Sequence, residues 1–205
     1  MCVLIDSSRA FNPALLRARL GHVPPVVARY LGTGGGAATA LCPTEVANIH
    51  DSGCKLLPIF NDLDPARLQT AADADAAWSR CETQATRLAV PQGVYLAFDL
   101  ESGWVPSDAW WAQFLAHVYA SQWGGVGIWY VAGSSPALIT PPQVPYADRM
   151  LYWRASWVPE WEQGLVWRPY CLQEVAWQWM SLEDFDLSWI KLPLPSIGQV
   201  PEGLW

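Results

Sequence analysis

Four acidic residues stand where apolar runs of the sequence begin or end. Asp6 closes the first apolar run, and Asp99 and Glu101 close a later one. Asp186 stands near the start of the last such run. Carboxyl groups that are brought close together repel when ionised, so at least one should hold its proton near neutral pH. A protonated carboxyl group facing an ionised one is the arrangement that general acid catalysis requires, as in enzymes that cleave glycosidic bonds.

Strand alternation indicates which way these acids face. The run at 93–101 has one wholly apolar face, suited to packing under helices, which consists of Val94, Leu96, Phe98 and Leu100. Its other face, expected to face the interior, carries Tyr95, Ala97, Asp99 and Glu101. The two acids are two residues apart, so strand geometry separates their Cα atoms by about 6.6 to 7 Å. A single acid at a strand end more often caps a helix or pairs with a rim cation, but several on one face favour a site.

Predicted strands and helices alternate over the first two thirds of the chain. The strands are expected at 2–6, 25–31, 54–60, 93–101 and 125–131. The helices are expected from Pro13, capped by Asn12, to Leu20; from Thr44 to near Gly53; at 65–88; and at 107–123, capped by Ser107. Such βα units favour a parallel barrel or a doubly wound sheet.

Three strands without intervening helices are predicted to follow, at 150–157, 174–180 and 184–190. Only Ser181–Glu183 separate the last two, whereas a parallel crossover needs about a dozen residues or more. This pair is therefore expected to be antiparallel. The sequence thus predicts five βα units followed by three strands.

Length and composition exclude several classes of protein. A chain of 205 residues, 52% hydrophobic and 15% charged, suits one folded domain. No apolar run reaches the roughly 18 to 20 residues that a membrane-spanning helix needs. The net charge is −7 and no basic run occurs, so neither nucleic acid nor anionic lipid is an expected partner.

Motifs for cofactors and metals are weak or missing. The three histidines lack ligand spacing and the five cysteines form no CxxC pair, so we expect no metal, no cofactor and reduced thiols. The glycine-rich segment 32–37 is followed too soon by Pro43 to open a dinucleotide-binding helix, and no GxSxG motif occurs. The amino terminus lacks the basic start of a secretion signal. We therefore expect cytoplasmic synthesis, with release by lysis or delivery by a phage or an injection system.

The chain has 14 tryptophans, an unusual number. An indole ring is large and its N–H group needs a partner, which makes it a poor space filler and a good surface for stacking flat, amphipathic ligands. For any single tryptophan, a place in the core remains the safer prediction. Arg29 near the end of the second strand is expected to offset part of the repulsion between the acids. The candidate ligand-binding residues are Arg29, Tyr95, Trp129, Trp153, Trp177 and Gln178.

Four motifs resemble a known clan: IDSS at the start, VARYL, AFDLE, and VAWQWMSLEDFDLSW near the end. The sequence resembles the glycoside-hydrolase-like barrel family of unknown function (number 1906), which is related to the muramidases of glycoside hydrolase family 25. The matching segments spread over residues 1–190, and a Pro-rich tail follows at 191–205. The resemblance implies a TIM-like barrel of five βα units and three strands, the last pair antiparallel.

The resemblance also implies roles for the four acids. Glu101 would be the proton donor, and Asp99 would orient the N-acetyl group of the substrate, which attacks its own anomeric carbon. Asp6 and Asp186 would help to hold the substrate and would give electrostatic support to the reaction. The sequence departs from the family pattern at Ser7 and Ser188. The implied substrate is an N-acetylated cell-wall polysaccharide such as peptidoglycan.

A second hypothesis has the same fold without catalysis. Such a barrel would bind a glycan, or dock on another protein through the Pro-rich segment 132–149 or the tail 191–205. A tail that wraps the base of the barrel is the simpler expectation for the last residues.

Overall fold

The chain folds into a closed barrel. The computed structural model describes residues 2–34, 39–101, 103–130, 144–145, 151–155, 174–181, 185–190 and 205. Within them, the strands in barrel order are β1 (Cys2–Ser7), β2 (Val26–Tyr30), β3 (Lys55–Phe60), β4 (Tyr95–Leu100), β5 (Gly124–Tyr130), β6 (Leu151–Ala155), β7 (Glu174–Ser181) and β8 (Asp186–Ile190). Neighbours from β1 to β7 are parallel, whereas β8 runs antiparallel to both β7 and β1. The predicted fold class and the antiparallel last pair are confirmed.

Helices cover the outside of the strands. They are α1 (Pro13–Leu20), α2 (Pro43–Asp51), α3 (Ala71–Arg87) and α4 (Asp108–Ala120). Two predicted caps are confirmed: the side chain of Asn12 accepts from the Leu15 amide at 3.0 Å, and that of Ser107 accepts from the Trp110 amide at 3.1 Å. In the described part of the chain, no helix is both long enough and apolar enough to span a membrane.

The long helix predicted at 65–88 is wrong, because the structure divides it. A short 3-10 helix occupies Pro65–Arg67, and α3 begins only at Ala71. Thr70 and Asp73 form a capping box, in which each side chain accepts from the other residue's backbone amide at 3.1 Å. The alanine-rich composition favoured one helix, but this local pair sets its true start. The second helix begins one residue before the expected Thr44, at Pro43.

Apolar residues form two separate cores. The larger lies between strands and helices and includes Val94, Leu96, Phe98 and Leu100, the face of β4 that was predicted to pack under helices. The smaller fills the barrel interior with Leu4, Val26, Ala28, Leu57, Ile59, Ala97, Trp153, Ala176 and Ile190. Since adjacent strand residues face opposite sides, this division shows which face of a strand is inward wherever its side chains are described.

Several tryptophans belong to the outer core rather than to a groove. Trp110 and Trp123 are buried there, the first stacked on Phe114 with ring centroids 4.5 Å apart. The indole N–H of Trp123 donates to the Val90 carbonyl at 3.1 Å. The expectation of core tryptophans holds for these residues.

The last residue lies beside β3. The backbone of Trp205 exchanges two hydrogen bonds with Leu56, of 2.5 and 2.9 Å, near the amino end of that strand. Its ring and the ring of His50 form a T-shaped pair with centroids 5.6 Å apart. Apart from Trp205 and residues 144–145, the two segments predicted for docking lie outside the described residues, and so does the proposed domain boundary at 190.

Candidate active site

The four predicted acids lie at the same end of the barrel. Asp6 and Asp186 are directly opposite each other in the pairing of β1 with β8. Asp99 is the next-to-last residue of β4, on the face opposite Phe98, and Glu101 follows the strand. Asp6 and Asp99 are 3% and 4% exposed, whereas Glu101 is partly exposed. The structure therefore brings the acids together, and their catalytic roles stay predictions.

Burial and mutual repulsion keep some of these groups protonated. Burial, followed by the negative charges of Asp186 and Asp99, raises the pKa of Asp6 well above its usual range. Burial and the nearby charge of Glu101 raise the pKa of Asp99 to about 8. The pKa of Glu101 is raised by its partial burial. At neutral pH, Asp99 therefore holds its proton in the free protein.

The two most buried acids are incompletely hydrogen-bonded. Oδ2 of Asp6 and Oδ1 of Asp99 have no hydrogen-bond partner within the described residues. A buried polar atom left unpaired costs about 1–3 kcal/mol, and more when it is charged. This cost favours the neutral form of each group. It also makes the interior receptive to a polar ligand.

Tyr30, the last residue of β2, is a site residue that the sequence analysis missed. It contacts the interior core and shares the inward face of β2 with Val26 and Ala28. Burial and the charges of all four acids, Asp6 first, raise the pKa of its hydroxyl group. Tyr30 therefore stays neutral and can donate a hydrogen bond toward the acids. Counting alternate residues along VARYL from an inward Ala28 would have found it.

Arg29 does not offset the interior charge, so the prediction for this residue is wrong. It lies on the outer face of β2 and is completely buried, with Nε 2.5 Å from Oε1 of Glu45 on α2. Its guanidinium group also donates to the carbonyl of Ser7 and, at 2.9 Å, to the hydroxyl of Thr39. Arg29 instead ties the segments that follow β1 and β2 to α2.

Two predicted ligand-binding aromatic residues lie elsewhere. Tyr95 is the first residue of β4, about 13 Å along the strand from Asp99, and therefore at the opposite end of the barrel. A Cβ atom at Gly124 would lie 2.2 Å from its ring, so a glycine is needed there. Trp177 alternates with the inward Ala176 and so lies on the outer face of β7, with the guanidinium of Arg154 5.0 Å from its ring centroid.

Of the three remaining candidates, two face the barrel interior, and the side chain of the third is not among those that the structure describes. Trp153 faces the interior, and its indole N–H donates to the Ser188 hydroxyl at 3.2 Å. Gln178 is 1% exposed and shares the inner face of β7 with Ala176. Trp129 lies on β5, but its side chain is outside the described part. Among described residues, no group of three or more His, Cys, Asp and Glu side chains is arranged to hold a metal ion.

The fold matches solved structures at low sequence identity. An uncharacterized protein of B. stearothermophilus superposes with a TM-score of 0.76 and 19% identity, covering 100% of both chains. The modular autolysin LytC of Streptococcus pneumoniae, in complex with a synthetic peptidoglycan ligand, gives 0.61 and 16%, over 91% of this chain and 46% of LytC. This chain therefore shares its barrel fold with both of these structures.

A third match is the spore cortex lytic enzyme SleM of Clostridium perfringens. Its TM-score is 0.53 and its identity 13%, over 92% of this chain and 67% of SleM. No protein-family model and no curated protein matches the sequence. At these identities the likeness concerns the fold alone.

Proposed function

We propose that this protein is a glycoside hydrolase that cleaves an N-acetylated cell-wall polysaccharide such as peptidoglycan. The observation that carries the proposal is the group of carboxyl side chains at the carboxyl end of the barrel, with Asp99 and Glu101 two residues apart on β4 and just after it. In parallel barrels, catalytic residues collect at this end. The names of LytC and SleM, an autolysin and a cortex lytic enzyme, support the choice of substrate.

Asp99 and Glu101 share one proton near neutral pH in this account. The charge of Glu101 is one cause of the raised Asp99 pKa, so the titration belongs to the pair. Transfer of the proton from Asp99 to Glu101 leaves the total charge unchanged. The productive form has the proton on Glu101, the more exposed group, and the charge on Asp99.

The chemical step then follows from these positions. Glu101 donates its proton to the glycosidic oxygen as the bond from that oxygen to the anomeric carbon breaks. The carbonyl oxygen of the substrate's acetamido group forms the new bond to the anomeric carbon, while ionised Asp99 accepts from the acetamido N–H. Water then attacks the anomeric carbon, the bond from the acetamido oxygen to that carbon breaks, and ionised Glu101 takes a proton from the water. No separate protein nucleophile is needed.

Release of reducing ends from purified peptidoglycan tests the proposal. The comparison is between wild type and Glu101→Gln at equal folded concentration, and we expect the variant to be slower by roughly 10²-fold or more. Glu82→Gln is the matched control, because it makes the same change at an exposed position on α3. Its activity should equal that of wild type.

Two results contradict the proposal in different ways. Equal cleavage by wild type and Glu101→Gln would remove Glu101 from the role of acid. Binding of the polysaccharide without cleavage by either protein would favour the second hypothesis, a glycan-binding barrel without turnover.

A further inference from the structure

Gln178 is a buried amide that the proposed mechanism does not use. It lies on β7, 1% exposed, and faces the barrel interior. Within the described part of the chain, neither its Nε2 nor its Oε1 atom has a hydrogen-bond partner. A buried side chain with both an unpaired donor and an unpaired acceptor is rare in folded proteins and calls for an explanation.

The neighbours of Gln178 place it in the candidate site. In the pairing of β7 with β8, it lies opposite Ser188. Two residues along β8 is Asp186, which pairs with Asp6. The amide therefore lies on the same side of the interior as Asp6 and Asp186, one layer of side chains further from the carboxyl end of the barrel.

The hydroxyl of Ser188 offers a useful contrast. It accepts from the Trp153 indole at 3.2 Å, so this polar atom is satisfied within the protein. Gln178, at the paired position, has no such partner among the described residues. A leucine or methionine would fill the same space without the cost of an unpaired amide. A glutamine whose buried amide stays unpaired lowers the stability of the free protein, which is typical of a group kept for a ligand.

The chemistry of the site limits which ligand group the amide can bind. An anionic group would be repelled by the ionised members of the acid cluster. A neutral group with both a donor and an acceptor fits, since the amide offers N–H to an acceptor and Oε1 to a donor. On an N-acetylated sugar, the acetamido carbonyl oxygen supplies the acceptor and a neighbouring hydroxyl group supplies the donor.

We propose that Gln178 hydrogen-bonds with the acetamido group of the bound sugar and selects for N-acetylated substrates. Its Nε2 donates to the acetamido carbonyl oxygen, and its Oε1 accepts from a hydroxyl group of the same sugar. This inference rests on the proposed function. Gln178 is then a specificity-determining residue, and it takes no part in proton transfer.

The test measures sugar binding in the Glu101→Gln background, where turnover is suppressed. Calorimetry compares the trimer of N-acetylglucosamine with cellotriose, which is neutral and carries hydroxyl groups in place of acetamido groups. Gln178→Leu should weaken binding of the N-acetylated trimer about ten- to a hundredfold and leave cellotriose unchanged. The same substitution should leave the melting temperature of the free protein unchanged or higher.

Ser188→Ala is the matched control on the paired strand. It removes a satisfied hydroxyl group, so it should lower the melting temperature and keep the preference for the N-acetylated trimer. Gln178→Met, with a side chain of similar length, repeats the main comparison with less change of shape.

Each contrary result has a separate meaning. An unchanged preference in both Gln178 variants would overturn the role of Gln178 and leave the proposed function standing. Loss of folding in both variants would show that the amide is structural, which also overturns the inference. Failure of the parent protein to bind either trimer would contradict the proposed function together with this inference.

Discussion

The two faces of the barrel strands bury polar groups in different ways. On the outer face, Arg29 has Glu45, Ser7 and Thr39 as partners for its guanidinium group. On the inner face, Asp6 and Asp99 each leave a carboxyl oxygen without a partner among the described residues. On the outer face a buried charge is neutralised by an opposite charge, whereas on the inner face the buried carboxyl groups are neutralised by protonation.

This difference separates structural from functional polar groups. A paired buried charge adds to the order of the fold and offers nothing to a ligand. An unpaired acid whose pKa is raised into the neutral range can exchange protons and accept new hydrogen bonds. The same distinction applies to Ser188 and Gln178. The Ser188 hydroxyl accepts a hydrogen bond from Trp153, whereas the Gln178 amide has no hydrogen-bond partner among the described residues.

The largest expected effect comes from breaking the outer pair. Arg29→Met leaves the Glu45 carboxylate buried without its cation, so we expect a loss of about 3–5 kcal/mol in the free energy of unfolding. The double variant Arg29→Met with Glu45→Met should recover most of this loss. Urea denaturation measures both. A single variant that loses less than about 1 kcal/mol would show that the outer pair is not structural.

The opposite sign is expected inside the barrel, where Asp99→Asn should stabilise the protein. The folded pKa of Asp99, about 8, lies above its unfolded value, so the folded state binds more protons than the unfolded state between about pH 4 and pH 8. Wild type therefore loses stability as pH rises through this window, and the asparagine variant avoids that loss. Its advantage should grow from pH 5 to pH 8 by about 2–4 kcal/mol.

Urea denaturation at several pH values measures this advantage. Asp75→Asn on α3 is the control, because that carboxyl group is exposed and its pKa is lowered by hydrogen bonds with His117 and Gln113. Its effect should have the opposite sign. An Asp99→Asn advantage that does not vary with pH would contradict the proposed protonation of Asp99.

A smaller effect is expected at Tyr30. Tyr30→Phe removes the neutral hydroxyl donor that faces the acids while keeping the ring in the interior core. We expect cleavage of peptidoglycan to fall about tenfold, with a change in the free energy of unfolding of less than about 1 kcal/mol. Separate values of kcat and KM would show whether the loss of activity lies in the chemical step or in substrate binding. Unchanged activity would place Tyr30 among the structural residues.

The inward face of a strand could be predicted from the sequence where polar residues alternate with apolar ones. On β4, acids alternate with large apolar residues, so the inward positions of Asp99 and Glu101 follow from the pattern alone. The capping residues Asn12 and Ser107 and the antiparallel pairing of the last two strands were also predictable, because each depends on local spacing.

The errors fall where both faces of a strand are buried. Around Arg29 on β2 and Trp177 on β7, apolar residues occupy both faces, so alternation does not show which face is inward. A shift of one residue then exchanges interior and exterior. Tyr95 was assigned to the correct face and the wrong end, since position along a strand depends on where the strand begins.

The pH dependence of peptidoglycan cleavage tests the central claim, that Asp99 and Glu101 share one catalytic proton. The profile of kcat/KM reports the titration of the free enzyme. We expect activity to fall above a midpoint of about 8, where the pair loses its last proton. Cleavage that stays constant from pH 7 to pH 9 would contradict the account, as would the absence of cleavage at every pH.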